Sequence, residues 1–161
     1  MSFNVLEELV REYYEYKGYF IKSNVRFNKL QTGGYKGEID ILAYNPEVEE
    51  MLHIECSMDA KSKEDESKMA EKKFPVDLDY KKLFPFKFKE VRKIYILGQS
   101  KEQSEIKMLE GIEVKNLGPF IREVYEEIEK DIFKKIVPEA YPLLRTMQLT
   151  KWAKSRAIDK K

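Results

Sequence analysis

Gly37-Glu38-Ile39-Asp40-Ile41-Leu42-Ala43, followed by His53-Ile54-Glu55-Cys56-Ser57, is the stretch on which the fold of this chain turns. Both runs are short and rich in aliphatic residues, and Asn45-Pro46 between them begins a turn. They predict two strands joined as a hairpin. Side chains alternate along a strand, so Lys36, Glu38, Asp40 and Leu42 are expected on one face and Ile39, Ile41 and Ala43 on the other. On the second strand His53, Glu55 and Ser57 share a face, opposite Leu52, Ile54 and Cys56. One side of the hairpin is then apolar, and the other gathers carboxylates.

Upstream, Leu6, Leu9, Val10, Tyr13 and Tyr14 recur at three- and four-residue spacing, which predicts an amphipathic helix with Ser2 as its cap and Gly18 as its stop. Residues 19–28 read as a strand and 31–34 as a turn. Downstream, residues 59–73 are highly charged, with Met58, Ala60, Met69 and Ala70 as the apolar relief, and predict a helix or a mobile loop. Strands are expected at 91–97 and, shorter, at 112–117. Gly118-Pro119 opens a helical stretch whose stripe of Phe120, Ile121, Val124, Tyr125, Ile128, Ile132 and Phe133 extends to about Val137. Pro138 and Pro142 separate it from a last helix over about 143–157, basic at its end with Lys151, Lys154, Arg156, Lys160 and Lys161. The order α-β-β-β-(α)-β-β-α-α predicts an α/β fold with a mixed central sheet of four or five strands. The first helix is expected on one side and the C-terminal helices outside, with residues 1–118 as the core and 119–161 as a helical extension on the same domain.

The chain has 161 residues, 42% hydrophobic and 12% aromatic, enough to bury a core in one domain. No apolar run approaches the ~20 residues of a membrane span, and acidic Glu7 and Glu8 near the start do not suit a secretory signal. A cytoplasmic protein without a membrane partner is expected. A single cysteine excludes an intramolecular disulfide, and a single histidine leaves no Cys/His set for structural zinc. Any metal should be oxygen-ligated. The net charge of +1 gives no global pull toward nucleic acid. Lys81, Lys82, Lys87, Lys89, Arg92 and Lys93 around Phe84, Phe86 and Phe88 could grip phosphates and bases; the simpler expectation has the phenylalanines in the core and the lysines in water.

Mg²⁺ takes oxygen ligands and commonly binds one or two carboxylates while keeping waters. Asp40 and Glu55 on adjacent strands could supply them, and a cation would offset the cost of holding two such groups together. The plain alternative is the wet face of a half-buried hairpin.

Glu7 in the opening helix, Gly18-Tyr19 at its end, the strand at 37–43 and the run at 53–57 follow one another in an order that resembles the PD-(D/E)XK superfamily of restriction-endonuclease-like nucleases. The likeness covers residues 6–57 and includes the small Holliday-junction-resolvase-like members. It implies a restriction-endonuclease-like sheet flanked by helices, Mg²⁺ or Mn²⁺ as cofactor, DNA as partner and hydrolysis of phosphodiester bonds. It also implies pairing into a homodimer, as small nucleases of this kind often pair to cut two strands. By resemblance Asp40 and Glu55 are metal ligands, the Cys56 carbonyl is a third, and Glu7, with Glu8 as its neighbouring alternative, orients the metal or its water.

In that superfamily the residue two after the strand glutamate is usually lysine, whereas this chain has Ser57. A hydroxyl donates one hydrogen bond and carries no charge. Lys36, expected on the Asp40 face, and Lys61, four residues beyond the third strand, are the candidates to supply that charge. Without such a substitute the chain would be a catalytically degenerate nuclease-fold protein that serves as a nucleic-acid-binding or assembly module. His53 is expected as a hydrogen-bonding neighbour of Glu55 and not as a catalyst. Cys56 is expected as a small core residue.

Overall fold

The computed structural model describes residues 4–60, 63–99 and 106–158. Helix α1 (Val5–Tyr16) buries the stripe Leu6, Leu9, Val10, Tyr13 and Tyr14. Asn4 caps it, accepting the N–H groups of Leu6 and Glu7. The cap is therefore Asn4 in place of Ser2, which lies outside the described residues. Strands β1 (Phe20–Lys29), β2 (Tyr35–Asn45) and β3 (Glu50–Ala60) form an antiparallel meander. Helices α2 (Lys63–Lys73) and α3 (Tyr80–Leu83) then carry the chain to β4 (Glu90–Gln99), parallel to β3. A parallel pair needs such a crossover.

The hairpin β5 (Ile106–Leu109) and β6 (Ile112–Asn116) completes a mixed sheet of six strands in the order β1-β2-β3-β4-β6-β5. Its two-residue turn is Glu110-Gly111, both at positive φ, the geometry tight hairpins prefer. Six strands replace the expected four or five, since β5 is too short to announce itself by periodicity.

Helices α4 (Leu117–Glu127) and α5 (Pro142–Ile158) pack with α1 on one face, where Phe120, Val124 and Leu144 meet Ile41, Ala43, Leu52, Ile54, Cys56, Ile94 and Ile96. On the other face Ala70 and Phe74 cover Tyr95, Leu97, Ile112 and Val114, while Leu78 and Phe84 cover Leu42, Tyr44 and Met51. The first helix and the C-terminal helices thus share a side, and the helices between β3 and β4 hold the other. Two peptide N–H groups of α5, at Leu143 and Leu144, donate to the buried Glu12 carboxylate of α1. That ties residues 119–158 to the core.

Helix α4 stops at Glu127, short of the expected Val137, and Phe133 is largely exposed. Side chains from α5 take the place of helical hydrogen bonds there. Lys151 Nζ donates to the carbonyl of Ile128 at 2.8 Å and also reaches that of Tyr125, while Gln148 accepts from Val137 N–H and donates to the carbonyls of Glu129 and Lys135. A cation on the last carbonyls of α4 also opposes its dipole.

The face assignment along β2 needs one correction. Ile39 belongs to the cluster of Leu42 and Tyr44, opposite Ile41 and Ala43. Strict alternation fails at Asp40, because the β1–β2 ladder skips the Asn24/Asp40 position and Asn24 has a left-handed backbone, φ 54°. Gly37 is explained by space. A Cβ there would lie 2.5 Å from the Phe27 ring on the paired strand.

Candidate functional site

The β2–β3 ladder runs from Asn45/Glu50 to Ile41/Ile54 and ends there. At the next position the two carboxylates take over from backbone pairing. Asp40 Oδ2 accepts the Cys56 N–H at 2.9 Å, and Glu55 Oε1 lies 3.4 Å from the Asp40 N–H. The fork where β2 parts from β3 therefore brings Asp40 and Glu55 together, as the hairpin suggested. Burial, with help from Glu55, pushes Asp40 up to about 6. Burial likewise raises Glu55, which is fully enclosed.

The cation that meets them is Lys73, which sequence reasoning missed. It is the last residue of α2, and its Nζ lies 2.6 Å from Glu55 Oε2 and 3.3 Å from Asp40 Oδ2. Burial pulls its pKa down, but Glu55 and Asp40 outweigh burial and keep it well above the lysine range. The helix end is fixed by its neighbours: Ala70 and Phe74 are buried, and the Phe74 ring packs on His53 with centroids 4.5 Å apart. No local signal singles Lys73 out of its lysine-rich surroundings, because Lys87-Phe88 repeats the same pair of residues.

Lys36 is held elsewhere, with its Nζ 2.8 Å from Asp77 on an exposed part of β2. Lys61 lies outside the described residues. The Ser57 hydroxyl accepts the Asp59 N–H at 3.3 Å, beside the irregularity between Ser57 and Ala60 in the β3–β4 ladder. Glu7 stands at the N-terminus of α1, where Asn4 Nδ2 donates to it. Burial, then Asp40, then, more weakly, Glu38 raise its pKa, so its carboxylate shares the field of the site. Glu8 is engaged by Arg11, whose hydrogen bonds lower its pKa.

Cys56 contributes its peptide N–H. Its side chain is in the α1/α4/α5 core and burial raises the thiol well above its ordinary range, so it is no nucleophile. His53 is fully buried, with Nε2 2.9 Å from Glu55 Oε1 and Nδ1 2.7 Å from the Tyr80 hydroxyl. Burial brings its pKa down to about 3, so it is neutral.

Among the described residues no group of three or more His, Cys, Asp or Glu side chains is preassembled around a metal position. Two carboxylates completed by water remain a suitable donor set for Mg²⁺ or Mn²⁺. One observation favours that fit: the buried Glu55 Oε2 is engaged by a cation, the Lys73 ammonium at 2.6 Å, and by no neutral donor among the described residues. Burial is the first cause of the raised pKa values of Glu7, Asp40 and Glu55, and neighbouring carboxylates add to it at Glu7 and Asp40.

The basic segment around Phe84–Phe88 follows the simpler expectation only in part, with Phe84 buried, Phe88 half-buried and Phe86 exposed. Phe84 is buried against Tyr44, and Phe86, though exposed, stacks on the same ring. Lys87 and Lys89 pair with Glu49, Lys82 with Asp79, and Arg92 with Glu50 and Glu113. Beside α2, Lys36, Lys72 and Lys93 line a groove, but Glu71, Asp77 and Glu110 alternate with them. No helix among the described residues is long and apolar enough to cross a membrane.

Comparisons with family models, with curated proteins and with solved structures give no match. Class and function therefore rest on the geometry of the site and on the order of its parts.

Proposed function

We propose that the chain is a metal-dependent nuclease of the restriction-endonuclease-like class, hydrolysing phosphodiester bonds of DNA at Asp40 and Glu55. The observation that carries this is the Lys73 ammonium within ion-pair distance of both carboxylates. It supplies from the end of α2 the charge that Ser57 lacks on β3. Asp40 and Glu55 would hold Mg²⁺ or Mn²⁺. The Cys56 carbonyl supports the same site, because a strand residue's C=O leaves on the same side as its N–H, and that N–H points to Asp40. A bound metal would lower the pKa of its water and offset charge on the phosphate.

The chain's own residues divide the remaining work. Lys73 is protonated at neutral pH, so it is a charge and a hydrogen-bond donor for a phosphate oxygen and not a base. Glu7 is only partly buried and feels the Asp40 charge, which suits an orienting role. His53 is enclosed and both ring nitrogens are occupied, so it does not touch substrate.

The test is cleavage of single-stranded, duplex and branched DNA with Mg²⁺ or Mn²⁺. The wild type should cut, and Asp40→Ala and Glu55→Ala should each lose about 100-fold or more in rate. Equal cutting by those variants would refute the site. The competing reading is a nuclease-like scaffold that binds nucleic acid without cutting. It takes its support from Ser57, turned to Asp59, and calls for salt-sensitive DNA binding with no metal-dependent cleavage.

A further inference from the structure

The fully buried histidine beside Glu55 has no catalytic work in the account above. Burying an imidazole in a chain that has no other histidine needs an explanation. Its hydrogen bonds are directional. An ionised carboxylate only accepts, so with Glu55 held ionised against Lys73 the proton must reside on His53 Nε2, 2.9 Å from Oε1. The other nitrogen, Nδ1, is then an acceptor, and the Tyr80 hydroxyl 2.7 Å away is its donor. Every link is directed toward Glu55: Tyr80 O–H to Nδ1, Nε2–H to Oε1.

Packing fixes the plane in which this happens. Phe74 lies against the imidazole with ring centroids 4.5 Å apart, and the Tyr80 ring meets it edge-on at 5.7 Å. Phe74 follows Lys73 directly, so the end of α2 delivers the ammonium to one Glu55 oxygen and clamps the ring that engages the other. Oε1 is engaged by His53 and by the Asp40 N–H, whereas Oε2 meets the Lys73 ammonium at 2.6 Å. The two oxygens are thus unequal. One anchors the side chain and the other is left for a cation.

We propose that Tyr80 and His53 are positioning residues that hold Glu55 by Oε1 and present Oε2 as its metal-ligating oxygen. The inference rests on the metal site proposed above. Hydrogen-bonded partners that orient a ligating side chain are commonly worth 10–100-fold in metal affinity.

The solitary histidine makes a direct test available. Long-range ¹H–¹⁵N spectra of the full chain without metal give one set of imidazole signals. Those signals should show the proton on Nε2 and an acceptor-type Nδ1. A proton on Nδ1 overturns the relay whatever the metal does. Mn²⁺ binding, followed by the electron paramagnetic resonance of the free ion, then tests its purpose. Tyr80→Phe should weaken Mn²⁺ binding by about 10-fold, and His53→Leu by about 10-fold to 100-fold. His53→Gln keeps an amide donor for Oε1 and should recover part of that loss, with folding of each variant checked by circular dichroism. Unchanged affinity in folded Tyr80→Phe and His53→Leu would overturn the positioning role. If the wild type binds no Mn²⁺, the metal site itself fails. That result differs from failure of the relay alone, in which wild type and variants bind equally.

Discussion

Two ionic clusters sit on this sheet, and they treat their carboxylates in opposite ways. In the first, Arg92 of β4 lies 2.8 Å from Glu50 and 3.0 Å from Glu113, and Lys115 lies 3.2 Å from Glu113 and 2.8 Å from Glu123. Burial alone would raise Glu50 and Glu113, but hydrogen bonds from Tyr19 and Arg92 to Glu50, and from Arg92 and Lys115 to Glu113, lower both below the ordinary range. In the second, Asp40 and Glu55 pair with Lys73 while Glu7 lies in their field, and burial above all raises all three. The first is an ion-pair network that serves the fold. The second sets two carboxylates against one ammonium, the balance that the proposed metal site calls for.

The largest expected effect comes from removing the Lys73 ammonium. Lys73→Met leaves the enclosed Glu55 carboxylate facing an apolar chain and should cost about 3 kcal/mol of stability at pH 7, read from urea denaturation. The opposite sign is expected at its neighbour. Asp40→Asn keeps an acceptor for Cys56 N–H and removes a strained charge, so the metal-free protein should gain on the order of 2 kcal/mol at pH 7 while losing Mn²⁺ binding.

The same shift gives a pH dependence. Asp40 has a folded pKa of about 6 against 3.8 as its ordinary value, so between those values the folded state binds more protons than the unfolded one. Its contribution to stability therefore rises as pH falls from 7 to 4, and urea midpoints should show that rise blunted in Asp40→Asn. Glu50 and Glu113, with lowered values, contribute stability above their ordinary 4.5 and lose it only as pH falls through their folded values. The smallest effect belongs to the structural cluster. Arg92 is nearly half exposed, so Arg92→Met should cost about 1 kcal/mol and leave Mn²⁺ affinity unchanged.

The contrast also marks what the sequence could reveal. Helix α1 was legible because its five apolar positions follow helical spacing without interruption, and Asp40 and Glu55 because their strands carry strong aliphatic runs. The face of Ile39 was not legible, since it depends on the backbone of Asn24 across the ladder. Lys73 was hidden among chemically equal lysines: its place follows from how Ala70 and Phe74 seat α2, a tertiary matter. The end of α4 was overrun for a similar reason. Its apolar spacing continues through Ile132 and Phe133, but Gln148 and Lys151 of α5 claim the carbonyls beyond it. Local pattern reports the partners a residue has on its own element, and these features were decided by partners on another.

The central claim is that Lys73 does from a helix what lysine would do at position 57. Metal-dependent DNA cleavage by wild type, Lys73→Met and Lys73→Met/Ser57→Lys, each confirmed folded, tests it most directly. Cutting by the wild type, a loss of about 100-fold in Lys73→Met and partial recovery in the double variant are the predicted result. No cutting by the wild type with either metal, or a Lys73→Met variant that cuts as well as the wild type, would contradict it.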